Sequence, residues 1–251
     1  MLRSVWGFVV FALMLLAGCE SVRIPDPDVR YVAFGDSSTA GPTDTDYPDV
    51  LVDLLQIPAA EMAKEGRGGE ATAEGLERLK QFISDGIFPN AHTLLYWEGG
   101  GDVVTFLRRV DPLLIHSPSS PDYPFRTGLT RTLDEAQSNI EAAIAAGQNA
   151  GWSVYVATYP LRPTVPLPCD ALPVPVMLPG QVTIANAYTE LINERIRLAA
   201  VNAGAVLVDV AADDGLKGRL GTFVDCNHLG ESGNAVAAEV FAAALAGVRT
   251  E

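Results

Sequence analysis

The sequence predicts an α/β fold: a three-layer α/β/α sandwich on a parallel sheet of about five strands. Three observations carry this expectation. Short apolar runs alternate with helix-length amphipathic segments, a pattern that requires right-handed crossovers and a parallel sheet covered on both faces. The 251 residues are 48% hydrophobic, enough for one full core and within the range of a single domain. No internal repeat divides the chain.

The N-terminus is read apart from the fold. Arg3 is followed by an apolar stretch from Val5 to Leu16 and then by small residues before Cys19. The stretch is too short to span a bilayer and has the size of a signal h-region. The ending "LAGC" resembles a bacterial lipobox, in which Cys19 becomes the lipidated first residue. An ordinary signal peptide with a chance cysteine is the alternative. The expected organisation is a lipoprotein signal peptide over residues 1–18, a tether over 19–28 and one domain over 29–251. The protein is then expected in the bacterial cell envelope, held at a membrane through Cys19, with its domain in the periplasm or outside the cell.

Within the domain, "VRYVAF" (29–34) reads as the first strand and "YPDVLVDLLQI" (47–57) as an amphipathic helix. A helix over 70–83 precedes the strand "HTLLYW" (92–97). An alanine-rich helix over 133–151 ends at a glycine stop, followed by the strand "WSVYVATY" (152–159). A long helix within 181–203, the strand "AVLVDV" (205–210) and a helix over 231–247 complete the chain. Two proline-rich apolar stretches, 111–128 and 159–180, interrupt this rhythm. Loops this long inside a compact domain are commonly functional, and both are read as walls of a binding cleft.

The formal charge is −14, from 31 acidic and 17 basic residues. Without clustered Lys and Arg, a nucleic-acid partner is excluded, and adsorption to an anionic lipid surface is disfavoured. A single-signed charge suits a monomer. Setting Cys19 aside leaves Cys169 and Cys226, and two cysteines in an exported chain predict one disulfide. Too few Cys and His ligands remain for a metal site.

"FGDSSTAG" (34–41) closes the first strand. Gly, Asp and Ser are ordinary turn formers, but ligands of an open parallel sheet bind beyond the carboxyl ends of its strands. Ser37 therefore stands where a nucleophile would. A hydrolytic serine needs a base, and the base needs an acid on its other ring nitrogen. His92, at a strand start, and His116, in a proline-rich loop, read as structural or solvated. His228 lies in "FVDCNHLGESG", between the last strand and the last helix, three residues after Asp225. A D-x-x-H turn can place the carboxylate on Nδ1 and leave Nε2 free, although Asp225 could also simply open a turn. No G-x-S-x-G elbow is present, so the serine is not of the α/β-hydrolase type.

These segments together resemble the GDSL esterase/lipase group, the SGNH hydrolases, over nearly the whole mature chain. "FGDSSTAG" resembles the first block, which implies Ser37 as nucleophile. "EGRGGEATAEGLERL" (65–79) resembles the second, which implies that Gly69 gives a backbone N–H to the oxyanion beside that of Ser37. "DCNH" resembles the last block, with Asp225 and His228 completing a triad. The third block usually reads Gly-x-Asn-Asp, whereas "YWEGGGDVV" places Gly101 where the asparagine donor belongs. Losing one oxyanion donor costs about 10²–10³-fold in kcat. Gly101→Asn is therefore expected to raise kcat, unless another group already fills the gap. Asp36 is read as bracing the Ser37 turn, and Asp102 as bracing the loop below Gly101.

The resemblance implies ester hydrolysis through an acyl-enzyme, with no metal or organic cofactor. The expected substrate is a small-molecule ester, lipid-like or short-chain. A carbohydrate or cell-wall O-acetylesterase is the first alternative, and a non-catalytic acyl- or glycan-binding envelope lipoprotein the second.

Overall fold

Five short strands, all running the same way, set the frame. In the computed structural model, which describes residues 23–248, they are β1 (Tyr31–Gly35), β2 (Met62–Gly66), β3 (Thr93–Trp97), β4 (Ser153–Ala157) and β7 (Val206–Val208). They pair in the order β2-β1-β3-β4-β7, every pair parallel. The remaining strands, β5 (Leu167–Pro168) and β6 (Val176–Met177), form a small antiparallel pair outside the sheet. The signal-peptide and Cys19 readings lie outside the described residues. Of the expected tether, residues 23–28 are described: Arg23 pairs with Glu65, and the Asp26 N–H donates to the Ile87 carbonyl at 2.7 Å.

Alternation along the strands produces the three layers. Val32, Phe34, Leu94, Tyr96, Val154 and Val156 face one side. Against them lie α3 (Thr72–Ser84), α4 (Gly100–Val110), α5 (Arg126–Asn149) and α6 (Pro179–Ala203). Tyr31, Ala33, Leu95, Trp97, Tyr155 and Val208 face the other side, covered by α2 (Tyr47–Leu55) and α7 (Glu231–Val248). There the Tyr47 and Phe241 rings stack with centroids 4.7 Å apart. A single helical turn, α1 (Ser37–Ala40), follows β1 directly.

The α1 turn and the small β5–β6 pair were not expected from the sequence, and neither were β2 and α4. β2 is an edge strand reading "MAKEG", with only Met62 fully buried, so it lacks the apolar run that marks the inner strands. α4 opens on glycines that read as loop; it is nonetheless a helix, with Val103, Phe106 and Leu107 buried. α5 also begins earlier than expected, at Arg126, taking in the end of the 111–128 stretch.

Candidate active site

At the carboxyl end of β1 the chain must turn hard against β3. A Cβ on Gly35 would stand 2.2 Å from the Trp97 carbonyl oxygen, so only glycine fits. Asp36 follows as the N-cap of α1: its carboxylate accepts the Ser38 N–H at 2.8 Å, a standard capping bond. Its other oxygen accepts the Tyr159 hydroxyl at 2.7 Å. Burial pushes the Asp36 carboxyl above its ordinary value, against these hydrogen bonds. This fixed turn presents Ser37.

Asp225 and His228 come together on the turn before α7. His228 Nδ1 lies 2.7 Å from Asp225 Oδ2, while Oδ1 accepts the backbone N–H groups of Asn227 and His228 at 2.7 and 2.8 Å. Because a carboxylate only accepts, Nδ1 carries the proton and Nε2 keeps its lone pair. The Asp225 hydrogen bond raises the His228 imidazole above its ordinary value, against burial. Burial raises Asp225, but the hydrogen bonds from His228 and the Asn227 N–H outweigh it and hold the carboxyl below its ordinary value.

The turn is anchored on its other side. Cys169 and Cys226 form a disulfide, and the Cys226 N–H donates to the Pro168 carbonyl at 2.8 Å. Arg162 Nε donates to the Cys226 carbonyl. Its two terminal nitrogens reach Thr189 Oγ1 at 2.8 Å and Asn227 Oδ1 at 3.1 Å. Burial lowers this guanidinium to about 10, with Asp225 opposing the fall.

One cavity of about 320 Å³ is lined by Ser37, His228, Gly69 and Gly101 together. Gly69 has φ +75°, a backbone conformation that favours glycine. The cavity continues between α4 and α6, along Val103, Leu107, Leu172, Met177 and Ile192. Loop 159–180 therefore forms a wall, as expected, but residues 111–128 do not. Asp111 folds that segment away by accepting the Ile115 and His116 N–H groups at 3.0 and 2.8 Å. The unexpected α4 is the second wall. His92 and His116 are absent from the lining; His92 bonds Thr93 Oγ1 at 2.9 Å, and His116 packs its edge on Phe125.

The expectation for Gly101→Asn needs correction. A Cβ at Gly101 would lie 1.9 Å from the Glu70 carbonyl oxygen and 2.7 Å from its carbon. The obstacle is backbone, so the space an asparagine side chain needs is filled by the segment that follows Gly69. Asp102 holds that arrangement by accepting Thr72 N–H at 2.9 Å and the Thr72 hydroxyl at 3.0 Å.

Beneath it sits a buried charge cluster that sequence reading missed. Arg78 pairs with Glu70, donates to the Glu65 carbonyl at 3.0 Å and lies 3.9 Å from Glu98. Arg162 was also missed. The available signal was its position as the sole basic residue of the 159–180 stretch. Among the described residues, no group of three or more His, Cys, Asp or Glu side chains could hold a metal ion.

The family model for GDSL-like lipase/acylhydrolase matches residues 31–241. Among solved structures, a lipase from a goat rumen metagenome superposes with a TM-score of 0.61 at 13% identity, over 86% of this chain and 97% of that one. A GDSL-like lipase from Bacteroides thetaiotaomicron gives 0.51 at 14% identity, over 90% and 91%. An acetyl xylan esterase gives 0.54 at 19% identity, over 86% and 100%. No curated protein sequence matches the chain.

Proposed function

The chain belongs to the GDSL-like lipase/acylhydrolase family, whose members hydrolyse esters, and from that premise we propose that Ser37, His228 and Asp225 are its catalytic triad. In this reading Ser37 Oγ attacks the ester carbonyl, and His228 Nε2 takes the proton and returns it to the leaving alcohol. Asp225 fixes the tautomer and stabilises the imidazolium. Water then repeats the sequence on the acyl-enzyme. The backbone N–H groups of Ser37 and Gly69 hold the oxyanion; Gly101 contributes room for the Glu70 backbone rather than a donor.

The observation that carries this reading is the single cavity lined by both Ser37 and a histidine whose Nδ1 is tied to a carboxylate. Its apolar extension along Val103, Leu107, Leu172, Met177 and Ile192 supports a lipid-like or short-chain acyl group. An O-acetylated carbohydrate is the second reading, favoured by the fold shared with an acetyl xylan esterase. A panel of esters graded in acyl length and sugar content tests both. Turnover of the panel that disappears in Ser37→Ala and His228→Ala supports the triad. Full turnover in either variant rejects it.

We also propose that the protein is a monomeric envelope lipoprotein anchored through Cys19. The "LAGC" sequence supports the anchor, and the net charge of −14 supports the monomer. Labelled palmitate incorporated by the wild type, and lost in Cys19→Ala, is the expected result.

A further inference from the structure

Arg162 lines the same cavity as Ser37 and His228, and among the described residues its charge has no ionic partner at hydrogen-bonding distance. Its three side-chain acceptors are a backbone carbonyl, a hydroxyl and an amide oxygen, all neutral. Asp225 acts on it only through space, since that carboxylate is engaged by His228 and two backbone N–H groups. A guanidinium has five N–H groups, so donors remain after these three bonds.

A purely structural role accounts for the three bonds but not for the charge. A neutral side chain could serve a carbonyl, a hydroxyl and an amide without the penalty of desolvating a cation. The surroundings point the same way. A chain of net charge −14 places two guanidiniums on this one cavity, Arg162 inside and Arg108 exposed. Arg108 is held there by its Nε on the Ala171 carbonyl at 2.6 Å. Of the lining carboxylates, Asp36 is occupied by Tyr159 and the Ser38 N–H, and Asp170 is exposed to solvent.

We propose that Arg162 is an anion-binding group of this cavity and that the ester it takes carries a carboxylate or phosphate. This deepens the esterase reading and rests on it. One N–H remains on each terminal nitrogen to donate to either anion, beside an apolar wall for the rest of the molecule. In an acidic protein that repels anions at a distance, such a group selects the charged ester only after it has entered.

The test uses two matched pairs with the intact protein. One pair is 4-nitrophenyl hydrogen adipate and its methyl ester, with the anion on the acyl side. The other is acetylglycerol phosphate and acetylglycerol, with the anion on the alcohol side. The wild type is expected to favour the anionic member of at least one pair by about tenfold or more in kcat/KM, and the pair that responds tells carboxylate from phosphate. Arg162→Gln should lower that ratio by about tenfold, and Arg162→Lys by less. A ratio is independent of the fraction of folded enzyme, and the wild-type comparison stands even if a variant fails to fold. A wild-type preference for the neutral member of both pairs overturns the proposal, as does a ratio unchanged in Arg162→Gln. If no ester is turned over, the esterase reading fails separately. Thermal stabilisation by adipate monomethyl ester or glycerol phosphate, lost in Arg162→Gln, then decides the anion site, and no stabilisation rejects it.

Discussion

Asp225 holds His228 at two points: Oδ2 lies 2.7 Å from the imidazole Nδ1, and Oδ1 accepts the His228 backbone N–H at 2.8 Å. One carboxylate thereby fixes both the ring and the turn that carries it. The D-x-x-H spacing is what makes the double contact possible, because three residues bring the backbone back over the side chain that opens the turn.

The pH dependence follows from that contact. In the proposed triad the base is neutral His228, whose hydrogen bond to Asp225 raises its pKa. kcat/KM should therefore rise with pH through a midpoint above the free-imidazole value of about 6.5. Asp225→Asn removes the raising partner, so the midpoint should move down and kcat should fall roughly 10³–10⁴-fold. A pH–rate profile of both proteins checks this; a midpoint that does not move in the variant contradicts the assignment of Asp225.

The disulfide ties loop 159–180 to the turn that carries Asp225 and His228 across a sequence separation of 57. Chain entropy for a loop of that length corresponds to about 4 kcal/mol. Reduction, or Cys169→Ser with Cys226→Ser, should lower the melting temperature and kcat together, because Cys226 lies between Asp225 and His228. Unchanged activity in a reduced and still folded protein would separate the bridge from the site.

At Gly101 even one added carbon meets the Glu70 backbone. Gly101→Ala should cost about 1–3 kcal/mol by overpacking. It should also lower kcat, because relief requires moving the segment that carries Gly69. Gly101→Asn should do the same or worse. Melting curves and steady-state kinetics provide the measurement, and a gain in kcat would restore the missing-donor explanation.

Glu98 is fully buried, accepts the Tyr96 hydroxyl at 3.0 Å and has its pKa raised well above the ordinary value, first by burial and then by Glu70. The folded state thus keeps a proton that the unfolded state releases above about pH 4.3, and stability falls as pH rises from there toward the folded value. Glu98→Gln removes this loss, so its melting temperature should gain on the wild type as pH rises through that window. Parallel curves would show that Glu98 is not the group responsible.

The inner strands and most helices were legible because burial on both faces writes continuous apolar runs into β1, β3 and β4. β2 was not, since an edge strand such as "MAKEG" needs no such run. α4 was hidden behind three glycines, and with it one wall of the cavity. The proposed triad rests on local patterns: Ser37 in the turn that closes β1, and the D-x-x-H turn of Asp225 and His228 ahead of the last helix. The filling of the space beside Gly101 could not be read in this way. It depends on where the Glu70 backbone passes, 31 positions away in sequence, and no local pattern records that. Arg162 carried only its position as the sole basic residue of the 159–180 stretch, and it acquires meaning from the neutral partners folded around it.

The most direct measurement of the central claim is covalent labelling of the intact protein with a fluorophosphonate, followed by mass-spectrometric mapping of the modified peptide. An activated serine reacts, and an ordinary surface serine does not. The expected result is one adduct on Ser37, formed faster as pH rises through the His228 midpoint and absent in His228→Ala. No adduct, an adduct on a different serine, or labelling of Ser37 that persists undiminished without His228 would contradict the triad.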